Sequence, residues 1–168
     1  AFDVTIAPLV RCWGFMGGSG NIPRQTDLEQ ARQSVGMTHL LLDPDKLTVR
    51  FARPGMMLDL GAIGKGYAIE RAAEILREAG VADAFIHGGT STVYALGKAP
   101  GGNPWKVAID GGEAGWDQEV ALTTIELSDE AMSVSAPRGK HFENQGRVYG
   151  HILDPRSGMP AEHAVLSA

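Results

Sequence analysis

An α+β fold, with a mostly antiparallel sheet and a few packed helices, is the expectation for this chain, and three observations carry it. One segment has strong helical periodicity, several short apolar runs are separated by Gly, Pro and Asp turns, and 168 residues suit one domain with a substantial core. Ala1-Phe2-Asp3-Val4-Thr5-Ile6 reads as a strand, and Gly17-Gly18-Ser19-Gly20 as a loop. Thr26-Asp27-Leu28-Glu29 has the capping-box pattern and starts a short helix ending near Gly36. Leu40 to Leu42 and Leu47 to Phe51 flank Asp43-Pro44-Asp45-Lys46, the mark of a β-hairpin with a four-residue turn.

Met56 to Leu60 reads as a strand leading into a glycine-rich turn. From Gly66 onward Ile69, Ala72, Ala73 and Leu76 recur at helical spacing, with Glu70, Arg71, Glu74, Arg77 and Glu78 on the outside. Gly80 ends that helix. Strands follow at Ala84 to His87, Val93 to Leu96, Trp105 to Ile109, Val120 to Leu127 and Val148 to Leu153, and Ala164-Val165-Leu166 reads as another beginning. The chain opens without methionine inside one strand pattern and stops inside another. Both ends therefore read as cut, and residues 1–168 as a single domain of a longer polypeptide.

Composition narrows the function. A net charge of −5 without a Lys/Arg cluster argues against a nucleic-acid partner. Cys12, the single cysteine, cannot form an internal disulfide and has no Cys or His at ligand spacing, so it reads as a small buried hydrophobe. These residues hold no signal peptide and no apolar run long enough to span a membrane. Trp13, Trp105 and Trp116 read as packing residues.

Three segments carry chemistry. Asp59-Leu60-Gly61-Ala62-Ile63-Gly64-Lys65-Gly66-Tyr67 places a carboxylate, three glycines and a lysine at the mouth of a helix, which suits a phosphorylated ligand. It is not a Walker loop, which needs a glycine where Asp59 stands and a Ser or Thr where Gly66 stands; a plain strand-to-helix turn is the alternative. Gly88-Gly89-Thr90-Ser91-Thr92 offers amides and hydroxyls at a strand end, functional if it lies beside the Asp59–Lys65 turn and otherwise a hairpin turn. His151-Ile152-Leu153-Asp154-Pro155-Arg156-Ser157-Gly158 combines a general-base candidate with an arginine able to grip phosphate. Its alternative is a turn in which Arg156 pairs with Asp154. His39, His87, His141 and His163 lack zinc-ligand spacing, so a hard, oxygen-bound metal is expected, with Mg²⁺ as the bridge if carboxylates and phosphates share a site.

Phe2-Asp3-x-Thr5-x-x-Pro8-Leu9 with Trp13-Gly14-Phe15, then Asp59-Leu60-Gly61-x-Ile63-x-Lys65-Gly66-Tyr67-Ala68, Gly88-Gly89, and His151-Ile152-x-Asp154-Pro155-Arg156-x-Gly158 together resemble the ApbE family of FAD:protein FMN transferases. The resemblance runs over essentially the whole chain. It implies a T-fold-like architecture and an Mg²⁺-dependent enzyme that moves the FMN half of FAD onto a Thr or Ser hydroxyl of an acceptor flavoprotein, releasing AMP. By the family's motifs Ala1, Phe2, Asp3, Asp59, Lys65 and Ile152 would contact FAD, Ala62 would offer an oxygen to the metal, and His151 would be the base. It also implies a bacterial periplasmic or cell-envelope location, with membrane association only through an N-terminal export or lipoprotein segment outside these residues.

Three departures stand out. The family's downstream Asp and Thr metal ligands have no counterpart before Ala168, Thr90-Ser91 follow the Gly-Gly pair where Asn or Asp is common, and Ser135-Ala136-Pro137-Arg138 replaces Ser-Gly-Asp-Tyr. These residues alone are accordingly expected to bind FAD weakly and transfer poorly. A metal-dependent FAD pyrophosphatase and a non-catalytic flavin-binding domain are the competing readings.

Overall fold

Capping chemistry decides how the chain begins. In the computed structural model, which describes residues 2–89, 91–110, 121–135 and 140–161, the opening segment is helical rather than extended. Val4–Ile6 makes a 3-10 turn and Ala7–Cys12 a short helix, α1. The Asp3 carboxylate accepts the Thr5 backbone N–H at 2.9 Å and the Thr5 hydroxyl at 2.6 Å. Pro8 falls in the first turn of α1, where its missing N–H costs nothing. A cap and a proline thus outweigh the weak strand preference of Val4-Thr5-Ile6. Helix α1 closes in a Schellman motif, with Gly14 N–H donating to the Arg11 carbonyl and Phe15 N–H to that of Val10, both at 3.0 Å.

Helix α2, Gln25–Gln33, starts earlier than the capping-box pattern predicts. Arg24 occupies the N-cap without a side-chain cap bond, and its guanidinium grips Asp27 at 2.8 and 3.0 Å. Thr26 is therefore inside the helix. Strands β1, Leu40–Asp43, and β2, Thr48–Phe51, form the expected hairpin in register from Leu40↔Phe51 to Asp43↔Thr48. Its turn lies one residue later than expected and ends on Leu47, at φ 51°. Residues 56–60 join no sheet; Asp59 N–H donates to the Val4 carbonyl at 2.8 Å, so one hydrogen bond replaces the expected strand.

Helix α3, Gly61–Glu78, begins five residues before the periodic pattern does. Gly64 and Gly66 consequently sit within the helix, where a Cβ on either would meet open space. The expected glycine-rich turn is the helix's own first turns. The C-terminus behaves as read: Gly80 N–H bonds the Arg77 carbonyl at 3.0 Å and Val81 N–H that of Leu76 at 2.9 Å.

Strands β3, Ala84–His87, β4, Thr92–Leu96, and β7, Glu130–Ser133, form one antiparallel sheet in the order β3-β4-β7. The pairs β5, Trp105–Asp110, with β6, Ala121–Leu127, and β8, His141–Asn144, with β9, Arg147–Gly150, are separate antiparallel hairpins. The mixed helical and antiparallel class stands as expected. Strands β7 and β8 lack an apolar run and escaped the sequence reading, whereas β9 stops at Gly150 instead of reaching Leu153, which makes only an isolated bridge to Pro160.

The described residues group into two compact units. The first, residues 2–60 with 140–161, is built on Leu9, Trp13, Phe15, Leu28 and Leu153. Phe142 and Tyr149 pack against this cluster as a stacked pair with centroids 5.1 Å apart. Each large apolar side chain so buried contributes about 1.5–3 kcal/mol. In the second unit, residues 61–135, the core is Val93, Ala95 and Leu127. Strand β4 is covered on both faces: Val93 and Ala95 pack with Leu127, and Tyr94, one residue out of phase, lies under Arg77 of α3 at 5.3 Å. Among the described residues, no helix is long and apolar enough to cross a membrane.

Candidate functional site

In the second unit Lys65 lies beside the turn that joins β3 to β4. Gly88 N–H donates to the Thr92 carbonyl at 2.9 Å and closes the turn between β3 and β4. A Cβ on Gly88 would stand 3.1 Å from Ile69 Cδ1 and 3.7 Å from Lys65 Cβ, so the bare backbone is what lets α3 lie against the turn. Lys65 Nζ then donates to the Ser91 hydroxyl. Among the described residues Lys65 has no carboxylate partner within 4.0 Å, so a full positive charge stays at the surface above the first turns of α3. A helix N-terminus and an uncompensated ammonium both favour an anion there.

The 151–158 segment divides between its two readings. The turn reading describes Asp154 and Arg156: the Arg156 Nε and Nη2 atoms bond the Asp154 carboxylate at 3.0 and 2.8 Å, and the Arg156 N–H adds a third bond at 2.9 Å. This pairing raises the Arg156 pKa, first through the hydrogen bond and then through the charge. The guanidinium is thus spent inside its own loop. Around it, Trp13 Nε1 donates to the Gly158 carbonyl at 2.8 Å and Arg32 Nη2 to that of Arg156 at 2.6 Å. Gly158 has φ 75°, which strains any side chain, and a Cβ there would lie 3.1 Å from both Arg32 Cδ and Leu28 Cδ1, which would have to give way.

His151 is a different case. Its backbone N–H bonds the Lys140 carbonyl at 2.9 Å, and its ring Nδ1 lies 3.0 Å from the same oxygen and 3.3 Å from the Lys140 nitrogen. Both ring contacts fall on Nδ1, which donates to the carbonyl in one tautomer and accepts the Lys140 N–H in the other; in the Nδ1–H tautomer Nε2 is an acceptor. The Phe15 ring meets the imidazole edge-on, with centroids 6.4 Å apart. Such a histidine can take a proton through Nε2 while its other nitrogen is held.

Of the remaining expected ligand contacts, Asp59 is tied by its backbone N–H to the Val4 carbonyl, and the Asp3 carboxylate serves as the cap on Thr5. Phe2 and Ile152 expose 53% and 37% of their surfaces, so both side chains are open to a ligand. Ala62 lies in the first turn of α3, where its carbonyl is directed along the helix. Ala1 lies outside the described residues, as do Ala136, Pro137 and Arg138, Trp116, Val120, His163 and the strand expected at 164–166. Among the described residues no group of three or more His, Cys, Asp or Glu side chains is placed to hold a metal ion. These residues by themselves do not form a complete cage for Mg²⁺. Two roles went unread in the sequence: Ser91 as the partner of Lys65, and buried Thr5, whose hydroxyl accepts the Gly36 N–H at 2.7 Å. The Asp-x-Thr spacing was the available signal for the second.

The ApbE family model matches residues 1–168. The chain belongs to the ApbE family. It is 33% identical over 169 residues to the FAD:protein FMN transferase of Klebsiella pneumoniae (strain 342), covering 99% of this chain and 50% of that protein. The FAD:protein FMN transferase of Rhodobacter capsulatus is 34% identical over 168 residues, of which this chain covers 31%. Among solved ApbE structures, the Thermotoga maritima ApbE protein superposes with a TM-score of 0.86 at 30% identity, over 99% of this chain and 52% of that one. The apo Pseudomonas stutzeri flavinyl transferase ApbE gives 0.81 at 35%, over 99% and 50%. This ApbE-family chain spans about half the length of most of the curated relatives it matches.

Proposed function

We propose that the full-length protein transfers FMN from FAD to a Thr or Ser hydroxyl of an acceptor flavoprotein and releases AMP. The observation that carries this is Lys65: a cation at the start of a helix, held by a neutral hydroxyl and left with its charge for a phosphate. Phe2, Asp3, Asp59 and Ile152 are read as further FAD contacts, with Ala1 completing that segment. The acceptor oxygen bonds to the phosphorus on the FMN side of the pyrophosphate as the bond to the bridging oxygen breaks. The hydroxyl proton passes to His151 Nε2, and AMP departs with the bridging oxygen. Lys65 offsets charge on the phosphate oxygens as it grows.

Mg²⁺ is an expected requirement of this reading, with the Ala62 carbonyl as one oxygen of its shell and substrate phosphates supplying others. A bacterial periplasmic or cell-envelope location, with any lipoprotein anchor outside these residues, belongs to the same reading and is checked by fractionation. The decisive experiment incubates full-length protein with FAD, Mg²⁺ and an acceptor bearing the flavinylation motif, then reads the acceptor's intact mass. A gain of one FMN, lost without Mg²⁺, supports transfer. AMP release without that gain makes the protein a pyrophosphatase, and FAD binding with neither signal makes it a carrier.

A further inference from the structure

The Lys65 ammonium sits on a flexible four-carbon stem, and a surface lysine ordinarily samples many rotamers. Ser91 removes that freedom. Its carbonyl accepts the Val134 N–H at 2.7 Å, tying residue 91 to the segment that follows β7. The adjacent Thr92, the first residue of β4 and nearly fully buried, shares a 3.1 Å hydroxyl contact with Ser133, so residues 91 and 92 are held by 134 and 133 in turn. The Ser91 hydroxyl, presented from this anchored backbone, accepts one of the three ammonium protons, leaving the other two donors for a ligand. A hydroxyl keeps the cation's charge, whereas a carboxylate at the same place would cancel it.

We propose that Ser91 is a positioning residue for ligand binding, acting through Lys65: it holds the ammonium toward the pyrophosphate of FAD. The assignment rests on the reading of Lys65 as an FAD contact. Ser91 itself touches neither the flavin nor the reacting phosphorus in this scheme, and its influence travels through one hydrogen bond.

The test is a double-mutant cycle on full-length protein, with FAD affinity measured by flavin fluorescence and folding followed by thermal melting. Ser91→Ala is expected to weaken FAD binding about three- to tenfold, the scale of one charge-assisted hydrogen bond at an exposed site. Ser91→Thr, which keeps the hydroxyl, stays within about twofold of the parent. On a Lys65→Ala background, Ser91→Ala has no further effect. Equal losses from Ser91→Ala with and without Lys65 would make Ser91 merely structural and overturn the proposal. So would loss from Lys65→Ala with none from Ser91→Ala, which leaves the FAD reading intact. If Lys65→Ala leaves FAD affinity unchanged, both the FAD reading of Lys65 and the role of Ser91 fall. Should Ser91→Ala lower the melting temperature, the Ser91→Thr and double-mutant arms still decide, because a packing defect persists when Lys65 is absent.

Discussion

Lys65 and Arg156 are both cations in glycine-containing motifs, and in sequence both look like phosphate ligands. The fold treats them oppositely. Arg156 is 90% exposed yet bound in two side-chain bonds to Asp154, two residues away, whereas Lys65 reaches across to a hydroxyl on another element. What separates the two cations is whether a counter-charge is already supplied, and that depends on which neighbour the backbone brings within reach.

The largest expected effect tests whether the Arg156 loop is scaffolding around one chemical residue. His151→Gly should lower the transfer rate by about 100- to 10,000-fold while FAD affinity holds, measured by acceptor mass against time. An unchanged rate would remove His151 as the base. Gly158→Ala, at φ 75° and against Arg32 and Leu28, should lose about 1–3 kcal/mol of stability in urea unfolding. Its effect on FAD affinity in the folded fraction should be negligible.

The direct contrast comes next. Lys65→Ala should weaken FAD binding about tenfold, and Arg156→Ala should not change it measurably. Equal losses would erase the distinction between the two cations. The smallest effect concerns Cys12. Burial is the main cause raising its thiol pKa, with Asp27 adding to it and Arg11 opposing it. The protein therefore holds back the thiolate, so alkylation should be slower than for free cysteine and its pH profile displaced to higher pH. Faster labelling in Gly158→Ala would show that the loop helps close the first unit.

How much of this could be read beforehand varies with the range of the interaction. The dominant helix, its Gly80 end and the Leu40–Phe51 hairpin were legible because periodicity and turn chemistry are local. The opening strand was misread because Asp3 and Pro8 act as helix signals on a β-branched run, and the start of α3 because glycine argues for a turn even where a helix tolerates it. Strands β7 and β8 are short and polar, and pairing alone makes them strands.

The motifs alone determined the family, the periodic body of α3 from Gly66 onward, and the list of residues worth testing, because each depends on residue type and spacing along the chain. The tertiary structure decided which member of each motif keeps its chemistry. It set Lys65 against Ser91, a pairing across 26 residues, and held His151 Nδ1 on Lys140 across 11. Partners so separated are chosen by packing, and packing has no period in the sequence from which it could be read.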